Sequence, residues 1–397
     1  MTDNQKNTLP KNWELKTLGE VAKSTKGKKP INLSETQTDF FSMPYIDIKA
    51  FEKKIFREFT DGEKCNLCNE DDVLLVWDGA RCGFVGRGVK GAIGSTLAKI
   101  VSNSLDKSFL FYFLQSNFLT LNTNVRGAGI PHIEPYLLWN LPLSLPPLPE
   151  QQKIVQKIES LFTELETGTK ALKTALNQLK IYRQAVLNHF LTNDNWKTVK
   201  LGDVCDRIFD GPFGSNLKSS DYTSSGVQVV RLENIGFMEF FEDKETFVSE
   251  DKYQSLIKHE VFEGDIIFSS FIGDYIRTTI LPNLKYKAIA KADCFCVRPK
   301  EKFIDKQFLT FVLSSTRTQK ILVLAVHGAT RPRINTTQLK SFSFPLPSLE
   351  IQTQIVAEIE KRMVAADALE ASLKSQLIKA ENLRQSILKR AFEGKLV

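Results

Sequence analysis

The sequence predicts a mixed α/β (α+β) protein made by tandem duplication, each copy a β-rich globule followed by one long amphipathic helix. Three observations predict it. Segments of the first half return in the same order in the second half. About 150 residues of each copy carry short β-rich runs broken by Gly, Asn, Asp and Ser. Each copy then closes on apolar residues at heptad spacing.

The repeat opens with "WELKTLGEVA" (13–22), which returns as "WKTVKLGDVC" (196–205) at an offset of 183, with Trp13/Trp196, Leu18/Leu201, Gly19/Gly202 and Val21/Val204 in register. "EDDVLLV" (70–76) returns as "EGDIIFS" (263–269) at 193, and "FLFYFLQS" (109–116) as "FLTFVLSS" (308–315) at 199. "LPPLPEQQKIVQKIESLF" (145–162) returns as "LPSLEIQTQIVAEIEKRM" (346–363) at 201. The offset only grows. The second copy is therefore the first with small insertions, and insertions belong in surface loops. A period this long marks a duplicated domain, not a solenoid of short units.

Within the globules, "DVLLVW", "LAKIV", "VQVVRL", "DIIFSS" and "CFCVRP" read as strands, and the aromatic "FLFYFL" segment as a helix. The glycine-rich "GFVGRGVKGAIGST" (83–96) matches neither the phosphate-loop nor the dinucleotide fingerprint, so it reads as tight turns between strands.

Prolines end each globule, and Pro149 and Ser348 suit a helix start. In the first helix the seam runs Ile154, Ile158, Leu161, Leu165, Gly168, Leu172, Ala175, Leu179, Tyr182, Val186, in steps of three and four. In the second it runs Ile355, Ile359, Ala366, Leu369, Leu373, Ala380, Leu383, Ile387, with Arg362 and Gln376 at seam positions and Met363 and Leu377 beside them. Gly394 suits the stop. Gln151, Gln152 and Lys153 read as exposed. A helix of about 40 residues, roughly 60 Å long, with one apolar stripe needs a partner. The other copy's helix is the preferred one; a helix from a second chain is the rival.

The chain carries 53 Lys and Arg against 46 Asp and Glu, a net charge of +7 that suits an anionic partner, nucleic acid first. Simple solubility is the plain alternative. No apolar run approaches the roughly 18 residues that span a bilayer, and the polar N-terminus lacks a secretory pattern, so a cytoplasmic protein is expected. The six cysteines read as reduced thiols; "CNLC" (65–68) has no second C-x-x-C, so no metal site is expected, a zinc site built from distant pairs being the minor alternative.

Catalytic signatures are absent. "HEVFE" at His259 lacks the second His of H-E-x-x-H, and there is no G-x-S-x-G elbow or N-P-P-[YF] methyltransferase run. No carboxylates form a defensible acid/base pair. The expectation is a binding module with no catalytic residues.

The motifs, in this order and in duplicate, resemble the specificity (S) subunit of type I restriction–modification systems. The carriers are "WELKTLGEVA" and "WKTVKLGDVC", "DGPFGSNLKSSDY" (210–222), "VVRLENIG" (229–236), "GAGIPHI" (127–133), "GATRPRI" (328–334), "PLPEQQKIV" and "PLPSLEIQTQIV". The resemblance covers essentially the whole chain; "EIQTQI" departs from the more family-like "EQQKIV". It implies target recognition domains at 1–148 and 194–346, and spacer helices at 149–193 and 347–397 that pack as an intramolecular antiparallel coiled coil with pseudo-twofold symmetry. Each domain would read one half of a split site in double-stranded DNA, with helix length setting the unread spacer. Two modification subunits would dock on the helices, bringing S-adenosylmethionine and flipping a target adenine. Restriction subunits would add ATP-driven translocation and cleavage. No cofactor is expected on this chain, and no membrane partner.

Basic residues of the globules are the candidate DNA contacts: Lys26, Lys28, Lys29, Arg81, Arg87, Lys90 and Arg126 in the first copy, and Lys218, Arg231, Arg277, Lys285, Lys287, Arg331 and Arg333 in the second. Any one of them alone reads first as a solvated surface charge. Base readout belongs where the copies differ, which favours Arg81, Arg87, Lys90 and Arg277 over Arg126 and Arg331. Two other readings stay open: a coiled-coil scaffold without specific DNA recognition, and a stand-alone enzyme with an unfamiliar site.

Overall fold

A computed structural model describes residue 10 and residues 12–127, 129–326 and 332–396. The chain divides into two compact units, 1–172 with 375–397, and 173–374. The first contains β1 (Glu14–Thr17), α1 (Leu18–Val21), β2 (Ala22–Lys26), β3 (Met43–Ile46), α2 (Ile48–Lys53), β4 (Phe59–Thr60), β5 (Leu67–Cys68), β6 (Val73–Val76), β7 (Val85–Arg87), β8 (Gly91–Ile93), β9 (Leu97–Ser102), α3 (Lys107–Ser116), α4 (Phe118–Thr123), α5 (Pro135–Trp139) and β10 (Pro142–Leu145). Helix α6 (Leu148–Phe190) follows at once.

The second copy repeats the plan with β11 (Lys197–Lys200), β12 (Cys205–Phe209), β13 (Tyr222–Thr223), β14 (Val227–Val230), β15 (Phe247–Val248), α7 (Glu250–Leu256), β16 (Glu260–Val261), β17 (Ile266–Ser269), β18 (Thr278–Ile280), β19 (Ala288–Ala290), β20 (Cys294–Pro299), α8 (Lys306–Ser314), α9 (Thr316–Val323), α10 (Thr336–Ser341), β21 (Ser343–Leu346) and α11 (Leu349–Phe392), whose residues from 375 on belong to the first unit. Both long helices begin within two residues of the expected 149 and 347.

Each globule holds one antiparallel four-stranded sheet, β2-β9-β6-β7 or β12-β20-β17-β18. A second sheet, β4-β3-β8-β5 or β13-β15-β14-β19-β16, contains one parallel pair, β3–β8 or β14–β19. The apolar run "VLLV" has no polar alternation because both of its faces are covered. Val73 and Leu75 enter the core under the helices, while Leu74 and Val76 enter the core between the sheets. "CFCV" divides likewise, Phe295 and Val297 to one side and Cys294 and Cys296 to the other. The glycine-rich 83–96 stretch, expected as tight turns, itself supplies β7 and β8; of its glycines only Gly83 sits at positive φ, whereas Gly88 and Gly94 lie where a Cβ would meet backbone oxygens at 2.2 and 2.4 Å.

The first strand of each globule pairs with the strand that precedes the long helix, β1 with β10 and β11 with β21. The joint is then locked by a glutamine, against the expectation that Gln151 is exposed: it is 1% accessible, and its counterpart Gln352 is 0%. Gln151 donates to Pro146 O (3.0 Å) and Ser104 O (3.2 Å) and accepts from Asp106 N (2.8 Å). Gln352 repeats this with Pro347 O (2.9 Å), Phe303 O (3.2 Å) and Asp305 N (2.8 Å). Asp106 and Asp305 are themselves the N-caps of α3 and α8. One side chain thus ties globule, proline turn and both helices together, and the departure in "EIQTQI" leaves it intact.

In the first unit the start of α6 lies beside the end of α11, so the two run antiparallel. Ile154, Ile158 and Phe162 share a core with Ile387, Leu388 and Ala391, and Phe392 packs on Phe109 and Phe113. In the second unit Val186 and Leu187 join Ile355, Ile359 and Met363 in one core. Leu179 and Leu373 are buried; Leu161, Leu165 and Leu172 are half-buried. Leu369 and Leu383 depart from the expected seam, being 51% and 50% accessible. The seam runs one residue later there, through Glu370 and Arg384. Arg183 bonds Glu370 Oε2 (2.5 Å) and Asp367 Oδ1 (2.6 Å). Arg384 lies 4.3 Å over the Phe162 ring, 3.5 Å from Glu166 Oε1. Polar pairs therefore take the places that a purely apolar heptad assigns to leucine. Positions three and four residues after a seam residue such as Ala366 fall on either side of the same stripe, so apolar spacing alone does not choose between them.

Candidate nucleic-acid interface

The end of the first unit's main sheet where β2 and β6 finish and β9 starts gathers most of its predicted contacts. β2 runs into "KGKKP", and Gly27 permits the turn: a Cβ there would meet Gly94 O at 2.2 Å. Lys26, Lys28 and Lys29 are exposed on it, and Lys26 Nζ lies 2.8 Å from Asp78 Oδ2. Arg81, in the loop after β6, is exposed over the Phe84 ring (4.6 Å), with Nε 3.6 Å from Glu52 Oε1. Arg126 is exposed on a short ladder with His132, whose Nδ1 sits 2.7 Å from Asp78 Oδ1.

Arg87 and Lys90 lie at the opposite end. Arg87 donates to Lys107 O (3.3 Å) and Ser108 Oγ (2.7 Å) and covers the Phe111 ring, so its guanidinium is engaged inside the globule. Lys90 is exposed.

The same end of the second unit brings together Arg231, Arg277 and Arg333. Arg231 contacts Glu233 (3.0 Å) and Thr246 Oγ1 (3.1 Å). Arg277 donates to Leu232 O (2.9 Å) and Ser269 Oγ (3.4 Å). Both brace the "VVRLENIG" turn, whose buried Asn234 donates to Phe241 O and Lys244 O and accepts from Arg231 N. Arg333 spreads 4.5 Å over Phe271 with Nη2 3.6 Å from Asp293 Oδ2. Lys285 and Lys287 stand at the far end, before β19, Lys287 beside Glu250 (3.7 Å). Lys218 is exposed on the turn before β13. Arg331 lies outside the described residues.

Sequence reasoning missed several neighbours. Lys291 joins Arg231 around Tyr222, bonding its hydroxyl. Phe213 and Tyr275 are exposed at this end. Burial pushes the Asp210 carboxyl up to about 6, although Gly211 N and Asp293 N both donate to it. Its backbone oxygen meets His259 Nδ1 at 2.8 Å. His132 and Asp210 lie inside the motifs, but Asp78, Asp293 and His259, which meet them, stand 49 to 83 residues away in the chain.

Among the described residues, no group of three or more His, Cys, Asp or Glu is arranged to hold a metal. All six thiols are free and five are buried; burial pushes Cys82 up to about 11 and Cys205 up to about 12, so these are not nucleophiles. Among the described residues, no helix is long and apolar enough to cross a membrane.

The sequence and the fold are matched by known proteins. The family model for the type I restriction modification DNA specificity domain matches twice, at 10–174 and 193–379. The MjaVIII specificity subunit of a type I restriction enzyme from Methanocaldococcus jannaschii is 30% identical over 98% of this chain and 94% of its own length. A chain solved in work on complex assembly and conformational transition of the type I R-M system superposes with a TM-score of 0.74 at 22% identity, covering 98% of this chain and 99% of that one. The HsdS subunit of Thermoanaerobacter tengcongensis gives 0.55 at 22% identity over 98% of both chains; these two show the shared fold. With two matched domains and a relative 30% identical along nearly its full length, the chain belongs to the type I restriction modification DNA specificity family.

Proposed function

We propose that this chain is the non-catalytic, DNA-reading subunit of a type I restriction–modification assembly, acting in the cytoplasm on double-stranded DNA. Each globule reads one half of a split site through the loop-rich end of its main sheet. The antiparallel helices set the unread spacer and dock two modification subunits. Those partners bring S-adenosylmethionine; restriction subunits bring ATP-driven translocation and cleavage; this chain binds neither cofactor.

The observation that carries the reading is the duplication: one DNA specificity domain matched twice in a single chain, each copy sealed to a long helix by the same buried glutamine. Exposed Lys and Arg at the sheet ends suit phosphates, and half-buried guanidiniums suit base edges. The test is a domain exchange. Replacing 1–148 with the matching domain of another family member, and mapping methylated sites with the modification subunits present, should change one half-site and preserve the other. Methylation without sequence preference by the wild-type complex would refute the reading.

A further inference from the structure

Resting on that reading of the globules as half-site readers, we propose that His132 and Arg333 are a matched pair of base-reading residues, one in each globule, and that Arg333 takes a guanine.

The two residues occupy one place in the fold. Pro131-His132-Ile133 pairs with the extension of β6, Gly79 N donating to Pro131 O (2.8 Å) and Ile133 N to Trp77 O (2.9 Å). Pro332-Arg333-Ile334 pairs with the extension of β17, Ile272 N donating to Pro332 O (3.2 Å) and Ile334 N to Ser270 O (3.0 Å). Ile133 and Ile334 are buried. Alternation along an extended segment then turns His132 and Arg333 outward. Both side chains are close to half exposed, 41% and 44%.

Each is oriented by a mostly buried carboxylate, but the two carboxylates have different origins. Asp78 lies on the extension of β6 and meets His132 Nδ1 at 2.7 Å. At the matching position of the second globule stands Phe271, whose ring supports the guanidinium of Arg333. Its carboxylate is Asp293, from the turn before β20, held at φ 71° and bonded by Ser270 Oγ (2.7 Å). A non-glycine residue in this region is costly and clusters at functional sites. The backbone ladder and the buried isoleucine already fasten the segment in both globules. The oriented side chain is thus an addition that each copy has rebuilt with different residues, as a reader of a different half-site would be.

The chemistry separates the two. With Nη2 drawn to Asp293 (3.6 Å) and its face on Phe271, Arg333 presents a planar fork whose N–H groups match the O6 and N7 acceptors of guanine. His132, with Nδ1 engaged, offers only Nε2 and makes one hydrogen bond to a base edge. Lys26 and Arg126 flank His132 and suit phosphates, which position the duplex without reading it.

The test uses the complex assembled with its modification subunits, acting on a randomised DNA library, with methylated sites read by sequencing. Arg333→Lys keeps the charge and loses the fork. It should lower guanine preference about 5- to 150-fold at one position of the second globule's half-site and leave the other half unchanged. Asp293→Asn, which keeps Arg333 and releases its orientation, should relax the same position less. His132→Gln should relax one position of the first globule's half-site. A uniform loss of methylation across all sequences, or unchanged preference at every position, overturns the proposal. A wild-type complex with no split-site preference brings down the underlying reading, and the pair with it; a split site that ignores all three variants brings down the pair alone.

Discussion

A basic residue in these globules acquires its role from the carbonyls and carboxylates around it. Arg87 and Arg277 spend donors on Lys107 O and Leu232 O, while Lys28 and Lys29 stay exposed. Asp210 shows the same dependence in its proton affinity. Burial raises its carboxyl to about 6, against an unfolded value near 3.9. The native state therefore holds this proton more tightly, and its stabilising contribution is full below about pH 4 and lost as pH rises through about 6. Asp210→Asn, whose side-chain oxygen still accepts from Gly211 N and Asp293 N, should remove that loss. Melting curves should show the variant gaining on the wild type from pH 4 to 7 and levelling off above. A constant difference would contradict the assignment.

At the scale of elements, the long helices are held by polar detail as much as by their apolar stripe. Gln151→Ala or Gln352→Ala strands two carbonyls and one amide at a joint that excludes water, and each should cost about 2–4 kcal/mol in urea unfolding. The shifted seam of α11 makes a second prediction. Ile359→Ala, in the core, should cost about 2–5 kcal/mol, whereas Leu369→Ala should cost less than about 1 kcal/mol, although both positions fit the apolar heptad. Equal costs would return the seam to the simple heptad. The Arg183 pair with Asp367 and Glu370 recurs as Arg384 with Glu166, so each unit carries the same polar clamp between its helices.

For the molecule as a whole, the duplication makes helix length a variable separate from base choice. A four-residue insertion in the exposed middle of α6 adds ~6 Å at 1.5 Å per residue. On the proposed function it should lengthen the unread spacer by about one or two base pairs, at 3.4 Å each, with both half-sites unchanged. Sites mapped by methylation in a host genome would show it, and an unchanged spacer would refute the ruler.

Much of this was legible in the sequence. The growing offset between "WELKTLGEVA" and "WKTVKLGDVC", and later between the proline-helix segments, placed the starts of both long helices to within two residues, because repeats and proline breaks are local facts. The burial of Ile154, Ile158, Ile355 and Ile359 also followed from spacing alone. Gln151 read as a solvated polar residue because its three partners, Ser104, Asp106 and Pro146, meet it only once the globule folds back on the helix. Leu369 and Leu383 read as core because positions three and four residues after Ala366 and Ala380 flank the same stripe, and only the pairing of Arg183 and Arg384 with their carboxylates and ring selects the later one. His132 and Arg333 sat in quoted motifs, yet their alignment needed the ladders on β6 and β17. The sequence by itself determined the duplication, the starts of the two long helices and the apolar stripe of the first, since these depend on residue order and period. Only the tertiary structure decided which polar side chains are latches, clamps or outward-facing donors, because a hydrogen bond is settled by partners that lie tens of residues away.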